Sequence, residues 1–253
     1  MLKCKNNISV VVITHNEENQ IAGCISSCKV FSEDVIVVDS GSIDRTTEIA
    51  QNLGAKCFTK PWEGYGAARN FGADMTTYDW ILSIDADERP DDEMSRSLCE
   101  IQLNQQHIYG FRRINHIGSV AIKHGDWNPD IKFRLYHRET TRWNNQKVHE
   151  NLHIEKWQTR TILPGHIMHY SYADVESLQK RLDHYARLGA AEMYSQKQKA
   201  GLISKLKPWF KYFRSYYLKG GFKDGKLGHQ IAKANAEALR RKYAYLSEIK
   251  EKQ

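Results

Sequence analysis

Four short apolar runs, each ending on polar or acidic residues and most followed by a segment of helical spacing, constrain this chain more than any other feature. "ISVVVI" (Ile8–Ile13) is a continuous β-branched run that ends at "THNEE", and Ile21, Cys24, Ile25 and Cys28 then fall on one side of a helix. "DVIVVD" repeats the pattern: it ends at Asp39, passes through "SGS" and leads into "RTTEIAQNL", a helix that the Asp44 side chain can cap and Gly54 can stop. "AKCFTK" predicts a third short strand, "GYGAARNFGADM" a third helix and "WILSID" (Trp80–Asp85) a fourth strand. Fully apolar strands alternating with helices specify an α/β fold, a parallel sheet covered on both faces.

In such a sheet ligands bind beyond the carboxyl ends of the strands. Those ends carry Thr14, His15, Asn16 and Glu17, then Asp39, then Asp85, Asp87 and Glu88 in "IDADE". Carboxylates this close repel one another, so a cation is expected among them. Alternate residues of an extended chain point to the same side, which lets Asp85 and Asp87 converge while Ala86 faces away. A small set of oxygen ligands suits Mg²⁺ or Mn²⁺ that keeps its other positions for water and phosphate oxygens, so the cluster predicts a metal–diphosphate site. The competing reading is a solvated loop whose acids cap a helix starting near Asp91.

From about His107 to Tyr170 the texture changes to "YGFRRINHIG", "IKFRLYHR" and "TRTILPGHIMHY", which predicts mixed or antiparallel strands closing an acceptor-side half. From Asp174 onward the pattern is helical, with "LQKRLDHYARLGAAEMY" its clearest amphipathic piece. The expected organisation is a catalytic domain over 1–173, with a nucleotide-binding half at about 5–106 and an acceptor half at about 107–173, then a helical, basic extension over 174–253. Charge follows the same division. Residues 1–177 hold 19 Lys and Arg against 24 Asp and Glu, whereas 178–253 hold 18 against 6, so the net +7 originates in the extension.

Within that extension, "KLKPWFKYFRSYYLKGGFKDGK" (Lys205–Lys226) interleaves Trp209, Phe210, Tyr212, Phe213, Tyr216 and Tyr217 with Lys and Arg. Aromatic and basic residues together suit an anionic membrane surface, and the same aromatics could instead pack the extension against the rest of the chain. A nucleic-acid-binding protein would use such a segment too, but that reading leaves Asp39, Asp85, Asp87 and Glu88 unexplained, and no nucleic-acid partner is expected. All five cysteines lie in the first hundred residues without CxxC spacing, which predicts reduced thiols. With no run of eighteen apolar residues and no small-residue cleavage site at the N-terminus, the expectation is a cytoplasmic protein, peripherally associated with the inner face of the membrane.

The opening strand with "THNEE", then "VIVVDSGSIDRT", "ARNFG" and "DADE", occur in the order and spacing of a known family. Together they resemble the inverting family 2 glycosyltransferases of GT-A fold, with Ile43 standing where that family commonly has Thr. The resemblance implies that Thr14, Asn16, Glu17 and Asp39 frame the nucleotide base and ribose. It further implies that Arg69 lies near the diphosphate and donor sugar, Asp85 near ribose and metal, and Asp87 on the metal, Mn²⁺ or Mg²⁺. "WNPD", "KFRLYHR", "VHE" and "HYSY" extend the similarity over roughly residues 5–190, toward the bacterial subgroup that includes the lipopolysaccharide inner-core β-1,4-glucosyltransferases. That subgroup implies a nucleotide sugar, UDP-glucose, as donor and a glycolipid or oligosaccharide such as the lipopolysaccharide inner core as acceptor.

Inverting transfer needs a carboxylate to take the proton of the acceptor hydroxyl. Glu150 is the first candidate, because the neighbouring His149 could orient it, and Asp130 the second. His166 and His169 occupy the place of a late His that completes the metal site in several enzymes of this fold, and His169 is the candidate ligand. Two other enzyme classes fit less well. A haloacid-dehalogenase-type phosphatase shares the "DAD" pattern but carries it on the first strand, and a nicotinamide dehydrogenase requires a Gly-rich turn where this chain has "THNEEN".

Overall fold

The computed structural model describes residues 4–144, 150–197 and 202–251. The chain divides into two compact units, residues 1–113 with 130–169 and residues 114–129 with 170–253. The boundary expected at 173/174 lies just beyond the third crossing between them, at 169/170. Residues 114–129, expected in the acceptor half, join the helical region instead.

In the first unit the alternation read from the sequence is realised. β1 (Ile8–Thr14), α1 (Ile21–Cys28), β2 (Val35–Asp39), α2 (Thr46–Asn52), β3 (Lys56–Thr59), α3 (Tyr65–Asp74) and β4 (Trp80–Asp85) follow one another, and then β5 (Glu88–Pro90) and α4 (Asp92–Glu100). β6 (His107–Ile117), β7 (Val120–Ile122), β8 (Ile131–His137) and β9 (Thr159–Tyr172) supply the later strands. The strand order is β3-β2-β1-β4-β8-β6-β9-β5. β1 pairs with β2 and β4 in parallel, whereas β4 with β8, β8 with β6, and β5 with β9 run antiparallel. Register brings Thr14 beside Asp39 and Ile13 beside Asp85, so the polar ends of the three parallel strands form one edge.

Because side chains alternate along a strand, each central strand feeds two cores. Val10, Val12, Val37, Leu82 and Ile84 pack with Ile21 and Ile25 of α1 and with Met94 and Leu98 of α4. Val11, Ile13, Ile36, Val38 and Ile81 pack on the opposite face, in the cluster that holds Ala68 and Ala73 of α3. Each fully buried aliphatic side chain contributes about 1.5–3 kcal/mol, so sheet and helices are fixed by burial on both sides. One glycine sets the closeness of α3: a Cβ on Gly72 would run into Val11 Cγ1 and lie 2.8 Å from Val38 Cγ2.

In the second unit β7 pairs with the end of β6, Asn115 opposite Ile122. α5 (Val175–Ser195) opens with a capping box between Asp174 and Ser177, then come α6 (Lys207–Phe213) and α7 (Gly225–Glu251). Ile117, Ile122, Leu178, Ile231 and Ala234 form its core. None of the described helices is long and apolar enough to cross a membrane.

Candidate active site

The aligned strand ends begin with two interlocked turns. Asp39, at the end of β2, is 3% exposed; its Oδ2 accepts from the N–H groups of Gly41 (3.0 Å) and Ser42 (2.9 Å), and its Oδ1 accepts from the Ser42 hydroxyl. Asn16 adopts a positive φ of 54°, a conformation Asn tolerates better than most residues. Its N–H donates to Ser42 Oγ at 2.8 Å, and its Oδ1 accepts from the Ile43 N–H at 2.9 Å. The Glu17 N–H donates to Thr46 Oγ1 at 2.8 Å. The loops after β1 and β2 are thus stapled together by the residues expected to frame a nucleotide, and the role seen here is turn-forming. Thr14 stands apart: its Oγ1 is buried without a hydrogen-bond partner among the described residues, at the edge where the three strands end.

The cation expected among the acids is supplied largely by the chain itself. The close approach of α3 at Gly72 seats Arg69 almost fully buried at 1% exposure, where Nη1 donates to Ser83 Oγ at 2.7 Å and Nη2 to Asp85 Oδ1. Arg134, from β8, donates to Asp85 Oδ2 at 3.0 Å and lies 3.7 Å from Glu88 Oε1. Glu88 has no exposed surface; it accepts from Arg113 at 3.0 Å and from the Asp85 N–H at 3.0 Å. Trp143 floors the cluster, with the Arg69 and Arg134 guanidiniums 4.8 and 5.6 Å from its ring. Burial pushes the Asp85 carboxyl upward, yet Arg69 and Arg134, with His169 beyond them, outweigh it and hold the group well below the usual carboxylate range. Burial, with Arg134 nearby, holds Arg69 below the ordinary guanidinium value, and it still remains charged at neutral pH.

Sequence reasoning had not singled out Arg134, Arg113 or Trp143. The available signal was an Arg inside the apolar strand "KFRLYH", a residue type that is rarely buried unless paired.

Asp87 and His169 form a separate pair. Antiparallel pairing of β5 with β9 sets Glu88 opposite His169, and His169 Nε2 lies 3.3 Å from Asp87 Oδ2, both side chains mostly buried. One carboxylate and one imidazole are a donor set that fits a divalent metal completing its shell with phosphate oxygens and water. Asp85, the other expected ligand, accepts from a guanidinium at each oxygen, Arg69 at Oδ1 and Arg134 at Oδ2. His166 pairs elsewhere: its N–H donates to Asp91 Oδ1 at 3.0 Å, the oxygen that also caps α4 through the Met94 N–H at 2.7 Å. Asp91, Glu93 and His166 form the one group of three ligating side chains close enough for an ion among the described residues, and helix capping accounts for Asp91 there. Of the competing solvated-loop reading, only that cap is realised.

The two base candidates differ in surroundings. A single bridge between Trp143 and Leu152 holds Glu150 near the cluster, its Oε1 3.7 Å from Arg69 Nη2 and 18% of its side chain exposed. It lines a cavity of about 280 Å³ together with Lys132, Phe133, Arg134 and Arg160. His149, expected to orient it, lies outside the described residues. Asp130 is clamped by Arg113 at 2.7 Å and Lys132 at 3.2 Å. Burial raises its pKa and these two cations more than offset that, leaving it lowered.

Known proteins resemble this chain along most of its length. The family described as Glycosyl transferase family 2 matches residues 9–164. An uncharacterized glycosyltransferase of Rickettsia typhi, RT0209, is 32% identical over 243 residues, covering 86% of this chain and 81% of its own. The lipopolysaccharide core biosynthesis glycosyltransferase LpsC of Rhizobium meliloti is 25% identical over 254 residues, covering 96% and 91%. Among solved structures, TarS 1–349 of S. aureus in complex with UDP aligns with a TM-score of 0.46 and 15% identity, over 98% of this chain and 92% of that one.

Proposed function

Because the chain belongs to glycosyl transferase family 2 and is therefore a sugar-transferring enzyme, we propose that its strand-end site carries out metal-assisted, inverting transfer from a UDP-sugar, UDP-glucose, to a glycolipid or core-oligosaccharide acceptor. The observation that carries this reading is the convergence of Glu150, Arg69 and Asp85, with the Asp87–His169 pair on the neighbouring strands. The relative named for lipopolysaccharide core biosynthesis favours that acceptor class.

Each residue has a task in this mechanism. Thr14, whose hydroxyl lacks a partner among the described residues, and the stapled turns of Asn16, Glu17 and Asp39 receive the nucleoside. Arg69, fixed between Ser83 and Asp85, orients Asp85 and presents positive charge toward the diphosphate side. Asp87 and His169 would hold the divalent metal, which when bound offsets charge on the departing diphosphate. Glu150 accepts the proton of the attacking hydroxyl; among the described residues its ion pair is one long contact to Arg69 at 3.7 Å, whereas Asp130 is clamped by two cations. The second unit docks on anionic lipid through exposed Trp209, Phe210 and Leu218 and the surrounding lysines.

The test is donor binding. UDP with Mn²⁺ at about 100 times its Kd should stabilise the fold by about 2.7 kcal/mol, read as a rise in Tm. Asp87→Ala should remove the Mn²⁺-dependent part of that rise. A variant that responds to UDP–Mn²⁺ like the wild type would overturn the metal assignment.

A further inference from the structure

The first unit carries a second concavity, about 790 Å³, unlike the strand-end site in its chemistry. Its lining includes Gln102, Asn104, Gln105, Gln106 and Trp157, and none of its ten lining residues is Asp, Glu, Lys or Arg, in a chain where 26% of residues are charged. It also lies away from the acids. Tyr109, on its wall, pairs with Leu135 across β6 and β8, and its ring is 5.8 Å from that of Trp80, the first residue of β4. Asp85 ends that strand, so at about 3.3 Å per residue the two sites are about 17 Å apart along β4.

The side chains present one apolar plane and a set of amides. Trp157 is 53% exposed, and its indole N–H has no acceptor among the described residues. The Gln102 and Gln106 side-chain amides likewise make no hydrogen bond to the described residues. Two neighbours are held in place: Gln105 Nε2 lies 3.1 Å from His137 Nε2, and Asn104 Oδ1 accepts from the Gln106 N–H at 2.9 Å. A planar amide offers donor and acceptor side by side, which matches adjacent hydroxyls on a pyranose ring, and an indole face matches the ring's C–H side. A volume in the usual range for small-molecule sites, lined with directional polar groups and no charge, selects a neutral ligand. We propose that this concavity binds neutral saccharide units, as a site separate from the one where transfer occurs.

Saturation-transfer NMR on the full chain tests it, with maltotriose and cellotriose as neutral probes and trigalacturonic acid as the charged one. At least one neutral trisaccharide should bind, with or without saturating UDP–Mn²⁺, and more tightly than the uronate. Trp157→Ala, a change at an exposed side chain, should weaken binding about tenfold, and the Gln102→Ala/Gln106→Ala pair by about threefold, with UDP–Mn²⁺ affinity unchanged. Three results would overturn the proposal: no neutral trisaccharide signal at about 10 mM, a weak-binding regime; both variants binding as the wild type does; or displacement of the saccharide by UDP–Mn²⁺, which would put it in the transfer site.

Discussion

The strand-end site and the basic extension are both rich in charge, and they treat it in opposite ways. At the strand ends Arg69, Arg134 and Glu88 are buried and matched to one another, to Asp85 and to Arg113 within a few ångströms. In the extension, Lys205, Lys207, Lys223 and Lys226 are exposed, and so are Trp209 and Leu218, at 67% and 65%. Tyr212 and Tyr216 turn inward instead, stacking on each other and packing edge-on against His229. A buried charge whose partner is present belongs to the architecture, and its removal is felt as lost stability. An exposed charge lacks a buried counter-ion, Lys207 having only the Tyr243 ring 6.0 Å away among the described residues, and its removal is felt chiefly when something binds.

That contrast can be broken or sharpened by four measurements. The largest effect is expected at Glu150, where Glu150→Gln should lower turnover by roughly 10²–10⁴-fold with donor affinity little changed. Asp130→Asn serves as the comparison, and an inactive Asp130→Asn beside an active Glu150→Gln would exchange their roles. Next comes Arg134→Met, which leaves Glu88 and Asp85 short of a cation and should cost about 3–5 kcal/mol in urea unfolding. The combined Lys205, Lys207, Lys223 and Lys226→Gln variant should stay within about 0.5 kcal/mol per site in the same assay. Equal losses in the two variants would erase the distinction between the regions.

Acid gives a smaller, graded effect. The folded-state pKa of Asp85 is depressed, so its contribution is present above the ordinary carboxylate pKa of about 3.9 and is lost as pH falls below that value. Arg134→Met relieves part of the depression and should flatten this acid limb. An unchanged slope would mean that Arg134 does not set the Asp85 titration. The last effect is on lipid: each exposed lysine should contribute about 1 kcal/mol to binding anionic vesicles at low salt, screened as salt rises. Vesicle binding unaltered by the four Gln substitutions and by Trp209→Ala would reduce the extension to a packing element.

The sequence was most legible where burial left few choices. β1, β2 and β4 are apolar on both faces, which only a covered parallel sheet accommodates, and the GT-A architecture with its helical C-terminal region follows that reading. The acids at the strand ends were equally visible, because strand direction alone puts Thr14, Asp39 and Asp85 on one edge. What neutralises Asp85 was not. Arg134 comes from β8, reached through an antiparallel pairing that no local pattern announces, so the demand for a cation was read as a demand for metal alone. The grouping of residues 114–129 was hidden for a similar reason: short aromatic runs show that strands exist but not which core receives Ile117 and Ile122.

Gly72 has a consequence for engineering and for evolutionary drift. Its missing side chain acts as a ruler between α3 and the sheet, and Arg69 stands one helical turn before it. Any larger residue must push the helix outward and carry the guanidinium with it, and displacements of about 1 Å at a reacting site cost on the order of a hundredfold in rate. The positional tolerance of a large buried cation is therefore written in the smallest side chain of its helix, and a library that varies the charged residues while leaving Gly72 free to change would lose its active members for a reason no charged position explains.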